Sequence, residues 1–242
     1  MENYFKDFHS YIINTVEKFY HTQTDNLNAA ADLITNSIIN GGKFFVTGTG
    51  HSHMIAEEFY TRAGGFANVY PILPSEFMLH EHPLKSTAVE RVTDYAKVIM
   101  QIYKVKQGDV VLIASNSGRN GMIVELAKLV QEKDAHVIAL TNPRKSENEK
   151  SRHPSGNYLY QYADVVIDNC TETGDAGYFV EEAGTCMGAV STITGAYAAQ
   201  VISILLAKKL ASKGIIPAVF KSSNIDGGDE WNRVLFEKYY GV

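Results

Sequence analysis

Five short apolar segments separated by helix-like segments constrain the fold of this chain more than any other feature. The apolar segments are residues 43–48, 69–73, 109–115, 136–141 and 164–168. Each is largely continuous rather than alternating, which is typical of strands buried on both faces. The intervening segments 52–63, 88–104 and 119–133 have helical patterns. This alternation predicts right-handed βαβ units, and therefore an α/β fold with a doubly wound, five-stranded parallel sheet flanked by helices.

The chain of 242 residues is predicted to form one domain over 1–242 with three parts. Residues 1–40 form an N-terminal helical segment, with one helix over 3–21 and a second that Thr24 or Asp25 caps and Gly41-Gly42 ends. Residues 41–212 form the core. Residues 213–242 form a C-terminal tail with a last helix over 230–239.

A long apolar segment precedes the tail. It carries no charged residue from Ala183 to Ala207, which is long enough to span a membrane. Its Ser, Thr and Gln residues and the lack of aromatic belts at its ends favour a helix over 183–212, buried in the domain or at a subunit interface. Segments 142–160 and 169–182 are predicted loops, and loops of such length are often functional.

The composition excludes some classes of binding partner. The formal net charge is −5, so the chain lacks the basic footprint of a nucleic-acid-binding protein. Cys170 and Cys186 give no disulfide framework, and the first residues lack the pattern of a secretory signal. We therefore expect a cytoplasmic protein that binds neither nucleic acid nor a membrane.

Two strands end in turns rich in glycine and hydroxyl groups. They are Gly48-Thr-Gly-His-Ser52 and Ser115-Asn-Ser-Gly-Arg-Asn120. Ligands of doubly wound sheets bind beyond the carboxyl ends of the strands, and a helix N-terminus with free N–H groups attracts phosphate. The predicted phosphate-binding residues are Gly50, Ser52, Ser115, Asn116, Ser117, Gly118 and Asn120. The alternative is that both turns are only structural. A dinucleotide site is disfavoured, because His53 stands where the GxGxxG motif needs its third glycine.

These two turns, their spacing and the order of elements over about 25–220 resemble the sugar isomerase (SIS) phosphosugar-binding domain. The whole chain resembles bacterial SIS-domain proteins similar to phosphoheptose isomerase. The resemblance implies a flavodoxin-like SIS fold in which serines of both turns hold a sugar phosphate. It also implies a homodimer or homotetramer whose sites borrow residues from a neighbouring subunit. The implied activity is aldose–ketose isomerisation of a sugar phosphate or amino-sugar phosphate.

Isomerisation through an enediolate needs a carboxylate base of tuned pKa and a group that handles the sugar oxygens. Segment 74–83 supplies both types. We predict Glu81 as the base with Glu90 second, and His80 as the oxygen-handling group ahead of His82. The alternative for this segment is a solvated polar loop.

One departure from the family keeps other functions open. Phosphoheptose isomerases place a catalytic histidine on a late helix, whereas segment 183–212 contains no histidine. The alternatives are a lyase similar to the N-acetylmuramic acid 6-phosphate etherases, working from the same two carboxylates, and a non-catalytic sugar-phosphate sensor.

Two further groups of residues have weaker patterns. His51 and His53 on one segment and His80 and His82 on another are potential metal ligands. Residues two apart do not face together on a helix, and we predict neither a metal nor a cofactor. The polar segment 221–229 either folds over the ligand or forms a tight turn.

Overall fold

The computed structural model describes residues 2–82, 84–144, 149–172 and 174–242. Within these residues, parallel strands form one five-stranded sheet in the order β2-β1-β3-β4-β5. The strands are β1 (Phe44–Gly48), β2 (Val69–Ile72), β3 (Val110–Ser115), β4 (His136–Thr141) and β5 (Val165–Asp168). The chain moves outward from β1 in both directions, so β1 and β3 flank the switch point. The predicted doubly wound α/β fold is confirmed.

Helices cover both faces of the sheet. One face carries α1 (Glu2–Ile39), α2 (His53–Phe59) and α6 (Ser191–Ser212), and the other carries α3 (Lys85–Val89), α4 (Tyr95–Tyr103) and α5 (Gly121–Gln131). Alternate side chains of β1 point to opposite faces, since Phe44 packs in the first core and Phe45 in the second. The last helix, α7 (Gly228–Tyr240), lies beside β2, and the Tyr240 hydroxyl donates to the Val69 carbonyl at 2.9 Å.

The prediction of two N-terminal helices is wrong, because α1 is continuous. The hydroxyls of Thr22 and Thr24 donate to the carbonyls of Lys18 and Tyr20 within the helix, at 2.7 and 2.6 Å, instead of capping a new one. The apolar face also continues across the predicted break, with Phe19 buried before it and Leu27 buried after it in the same core.

The predicted helix 88–104 is two helices. The Glu90 carbonyl, which would continue α3, instead accepts a hydrogen bond from the Met122 amide of α5 at 3.1 Å. Residues 90–94 therefore separate α3 from α4. The predicted helix 52–63 ends early, at Phe59, before Thr61 adopts a left-handed φ of +46°.

The predicted helix 183–212 begins too early. Its first residues form an antiparallel hairpin with the segment before them, β6 (Ala176–Val180) pairing with β7 (Thr185–Ala189). Gly184 and Gly188 have φ of +62° and +72°, which is incompatible with a helix. The predicted loop 169–182 thus contains a strand. Parts of three predicted loops lie outside the described residues: Pro83, residues 145–148 and Thr173.

Helix α6 is long enough and apolar enough to span a membrane. In this fold it is a core helix, since Ala198, Ile202 and Leu206 are buried against the sheet. Its large polar residue, Gln200, donates a hydrogen bond to Glu58 of α2 at 2.8 Å. The apolar composition of α6 is therefore explained by burial inside the domain, as predicted.

The tail packs at the β2 edge of the sheet. The Phe220 carbonyl accepts from the Gly64 amide at 2.8 Å, and Val219 forms a bridge with Phe66. The Lys221 ammonium lies 4.3 Å from the centroid of the Trp231 ring. A side chain at Gly228 would lie 2.1 Å from the Ser222 carbonyl oxygen. Segment 221–229 therefore forms a tight turn against α7.

Candidate functional site

A cleft opens where the carboxyl ends of the central strands meet the first turn of α6. Its lining residues are Ser52, Ile55, Ala114, Ser115, Asn116, Leu140, Asn169, Ser191 and Thr192. The two predicted turns start side by side, because Gly48 is the register partner of Ala114. Hydroxyl and amide groups from four separate segments thus converge on one small volume at the switch point.

The first turn bends tightly enough to present Ser52. A side chain at Gly48 would come within 2.3 Å of the Ser52 carbonyl oxygen, so the close approach requires glycine there. Gly50 has a φ of +56°. The Ser52 hydroxyl is partly exposed and has no hydrogen-bond partner among the described residues, which leaves it available to a ligand.

The second turn is built on Ser115 and Gly118. The Ser115 hydroxyl oxygen accepts from the Gly118 amide at 3.2 Å and keeps its own hydrogen to donate. Gly118 has a φ of +58°, and a side chain on it would lie 2.7 Å from Oγ1 of Thr141. Ser117, between them, has a hydroxyl without a partner in the described part of the chain.

Asn116 is fixed by the neighbouring strand ends. Its Oδ1 accepts hydrogen bonds from Nδ2 of Asn169 at 2.8 Å and from the Thr171 hydroxyl at 3.0 Å. Its side-chain amide nitrogen makes no hydrogen bond to the described residues and can donate to a bound anion. Because the ends of β3 and β5 are held together in this way, the floor of the cleft is formed before any ligand binds.

The N-terminus of α6 completes the cleft with Ser191 and Thr192. Asp175 caps this helix: its Oδ1 accepts from the amides of Val190 and Ser191 at 3.2 and 2.8 Å, and its Oδ2 accepts from the Ser191 hydroxyl at 2.6 Å. The Thr192 hydroxyl has no partner among the described residues. The wall of the cleft thus combines a helix N-terminus with a free hydroxyl.

Glu90 lies between the two turns. Its Oε2 accepts from the Thr49 hydroxyl of the first turn at 2.8 Å. Burial raises the pKa of the Glu90 carboxyl, although the Thr49 hydrogen bond and the guanidiniums of Arg152, Arg91 and Arg119 act in the opposite direction. A half-buried carboxylate of raised pKa is suited to accept a proton near neutral pH.

Glu81 and His80 are not among the residues that line the cleft. Both are exposed, and Glu81 forms an ion pair with Lys85 one turn along the chain. Hydrogen bonds from Lys85 and Ser75 lower the pKa of Glu81, which makes it a weaker base. His82 is also exposed, and its Nδ1 accepts from the Leu84 amide at 3.2 Å.

The structure therefore gathers some of the predicted site residues and separates others. Ser52, Ser115 and Asn116 line the cleft. Gly50, Ser117, Gly118 and Asn120 lie on the same turns without lining it, and Glu90 is one hydrogen bond from the first turn. Glu81 and His80 do not line the cleft.

Several cleft residues escaped the sequence analysis. Ser191 and Thr192 fell inside a helix predicted to start at 183, although Gly184 and Gly188 before them signalled a later start. Asn169 follows the fifth strand, at the edge where ligands of such sheets bind. Within the described ranges, no three His, Cys, Asp or Glu side chains come together as a metal site would require.

Comparisons with known proteins show the family to which this chain belongs. A SIS domain family model matches residues 7–142, more than half of the chain. A UPF0309 protein of Halalkalibacterium halodurans is 43% identical over 239 residues, which cover 99% of each chain.

Two solved structures share the fold. Phosphoheptose isomerase from Neisseria gonorrhoeae matches with a TM-score of 0.56 and 16% identity, over 86% of this chain and 98% of that one. An E. coli CFT073 protein solved in complex with a sugar phosphate matches with a TM-score of 0.51 and 18% identity, over 84% and 89% of the two chains. The family model and the full-length relative together place this chain in the SIS domain family, within its UPF0309 group.

Proposed function

We propose that the cleft binds the phosphate of a phosphorylated sugar and that the protein interconverts its aldose and ketose forms. The observation that carries this proposal is the convergence, at the switch point, of a helix N-terminus with the hydroxyls of Ser52 and Thr192, which have no partner among the described residues. A carboxylate of raised pKa contacts the first of the two turns. Hydroxyls and backbone N–H groups bind a phosphate without requiring a net positive charge. A sugar phosphate is also the ligand with which the E. coli protein was solved.

Glu90 is the base in this proposal. It lies next to the first turn and is held by Thr49, so a sugar whose phosphate sits at Ser52 and Ser115 extends toward it. Its carboxylate removes the proton from the carbon next to the carbonyl, and the same carboxyl returns the proton to the former carbonyl carbon, while the hydroxyl proton on the first carbon moves to the former carbonyl oxygen. Glu81 is not assigned this role, because its carboxylate is exposed and its pKa is lowered by Lys85 and Ser75.

The first experiment is a thermal-shift screen with sugar phosphates and their unphosphorylated parents. A ligand that binds only the folded state raises the melting temperature. We expect a shift with a phosphosugar and none with its parent sugar, and Ser52→Ala should reduce that shift. A screen in which no phosphosugar shifts the melting temperature would contradict the proposed binding site.

The second experiment compares two isosteric variants in an isomerase assay on the sugar phosphate that binds. Glu90→Gln should lower kcat by about 10²–10⁴-fold, the usual contribution of a general base, while binding survives. Glu81→Gln is the matched control and should change kcat less than about twofold. Full activity of Glu90→Gln would refute the assignment of the base. Lactate release from N-acetylmuramic acid 6-phosphate would indicate a lyase, and binding without turnover a sensor.

We also propose that the protein acts in the cytoplasm as a homodimer or homotetramer. Apolar side chains are exposed where the start of α1 meets the hairpin, with Phe5 81%, Phe179 62% and Met187 52% exposed. A second copy of the chain would cover such a surface. Sedimentation analysis should find an oligomer that Phe5→Glu weakens, and a monomeric native protein would contradict this proposal.

A further inference from the structure

Three arginines from separate segments meet beside the second turn. Arg91 follows Glu90 after α3, Arg119 belongs to the turn itself, and Arg152 lies in the loop before β5. The Arg152 amide donates to the Arg119 carbonyl at 2.8 Å. A side chain at Gly121, the first residue of α5, would lie 3.4 Å from the Arg91 carbonyl oxygen and 3.5 Å from that of Arg152. The three backbones therefore converge at the start of α5.

Among the described residues, one of these guanidiniums forms an ion pair, although all three are close enough to Glu90 to lower the pKa of its carboxyl. Arg119 pairs with Glu149, with Nε 3.1 Å from Oε2. Arg152 instead donates from Nη1 to the neutral Oδ1 of Asn120 at 2.8 Å. Among the described residues, neither Arg91 nor Arg152 lies within ion-pair distance of an acidic side chain.

Arg91 and Arg152 are exposed, but Arg152 makes a contact that fixes its guanidinium. Its hydrogen bond to Asn120 holds the guanidinium against the turn that we propose binds phosphate. Burial and the neighbouring guanidiniums of Arg119 and Arg91 lower the pKa of Arg152, although the carboxylates of Glu90 and Glu149 act in the opposite direction, so the like charges interact. An acidic chain with a net charge of −5 thus concentrates positive charge beside its cleft, and an anion placed there would relieve the repulsion.

We propose that Arg91 and Arg152 bind a second anionic group of the ligand, a carboxylate or a second phosphoryl group. Guanidinium groups match the planar, bidentate geometry of both. The substrate class is then a sugar phosphate that carries an additional negative charge, rather than a neutral sugar monophosphate. This inference rests on the proposed function, because the serine-lined cleft holds the first phosphate.

The test uses two matched pairs of probes and isothermal titration calorimetry at low ionic strength. Glucose 6-phosphate is compared with 6-phosphogluconate, which adds a carboxylate, and fructose 6-phosphate with fructose 1,6-bisphosphate, which adds a phosphoryl group. We expect the doubly anionic member of at least one pair to bind about tenfold or more tightly than its partner. The pair that shows the preference identifies the second group.

Three variants assign the preference to the arginines. Arg91→Gln with Arg152→Gln should abolish the preference while changing the affinity for the monophosphate less than about threefold. Arg233→Gln, which removes the same charge from exposed α7, should leave both affinities unchanged. Arg152→Lys keeps the positive charge but loses the planar guanidinium that binds an anion through two hydrogen bonds, so it should retain only part of the preference. Urea unfolding of each variant checks that the fold is intact.

The outcomes separate the two proposals. If monophosphates bind and neither pair shows a preference, or if the double variant weakens both members equally, the second-anion site is refuted and the proposed function stands. If no phosphosugar binds and Ser52→Ala changes nothing, the proposed function fails, and the second-anion site fails with it.

Discussion

Gly118 meets two independent requirements in the second turn, and substitution separates them. Its φ of +58° favours glycine, and a Cβ on it would lie 2.7 Å from the buried Oγ1 of Thr141. Gly50 of the first turn is the matched control, because it has a φ of +56° and nothing within 4 Å of a Cβ. Gly50→Ala therefore measures the conformational cost alone, and Gly118→Ala measures that cost plus the steric conflict.

The magnitudes follow from these distances. A left-handed alanine costs about 1–2 kcal/mol, so Gly50→Ala should lower the free energy of unfolding by about that amount. Overpacking adds about 1–3 kcal/mol, so the loss for Gly118→Ala should total about 2–5 kcal/mol. For a chain of this size each kcal/mol lowers Tm by about 2–4 °C. The two variants should therefore differ clearly in both urea and thermal unfolding.

A double-mutant cycle identifies Thr141 as the source of the conflict. Oγ1 of Thr141 is buried and has no hydrogen-bond partner in the described part of the chain, so Thr141→Ala removes no hydrogen bond. In that background the Gly118→Ala penalty should fall to the Gly50→Ala value, a coupling of about 1–3 kcal/mol. Equal penalties at Gly50 and Gly118 in the native background, or a coupling near zero, would refute the reasoning.

Three further changes test other contacts. Glu90→Gln should stabilise the fold near neutral pH, because burial raises the pKa of the Glu90 carboxyl in the folded state. The protonated carboxyl gives its full contribution to stability below the pKa of the unfolded state, and this contribution is lost as pH rises through the pKa of the folded state. Glutamine stays neutral and avoids that loss. The advantage of the variant in urea unfolding should vanish in acid. His153→Ala should cost about 1–3 kcal/mol, because Nε2 of His153 lies 2.8 Å from the buried carboxylate of Glu125, which would lose this hydrogen-bond partner; a neutral result in denaturant titrations would contradict this. Asp175→Ala should cost about 1–2 kcal/mol by removing the cap of α6, and it should also weaken phosphosugar binding in the thermal-shift assay, since it frees Ser191 from its present position.

The sheet was predictable because its signals are local. A strand buried on both faces needs a continuous apolar run. Each of the segments 43–48, 109–115 and 136–141 could therefore be predicted as a strand from its own residues. The observed strands agree with the predicted ones to within one residue at each end. The turns after β1 and β3 were equally local, since Gly50 and Gly118 adopt positive φ and interrupt the helix pattern.

The errors occurred where a tertiary contact overrides the local pattern. The Glu90 backbone is drawn out of α3 by the Met122 amide of α5, a contact with no trace in the sequence around either residue. The choice between Glu81 and Glu90 as the base stays a prediction, and the sequence alone offered little to decide it. Both are acidic residues in polar segments, and only the fold decides which one meets Lys85 and which meets Thr49.

At the wall of the cleft, too, a tertiary contact and not the local sequence positions a residue of the candidate site. Ser191 reaches the cleft because Asp175, sixteen positions earlier in the chain, caps α6 through two backbone amides and the Ser191 hydroxyl. The cap therefore fixes the direction from which the helix N-terminus faces the cleft, and the hairpin of β6 and β7 is the connection that brings Asp175 back to it. The carboxylate also occupies two of the amides that would otherwise attract phosphate. In the proposed phosphate site, α6 therefore offers the amides and the hydroxyl beyond Ser191, starting with Thr192, so Thr192→Val should weaken phosphosugar binding in the thermal-shift assay more than the neighbouring Ile193→Val does.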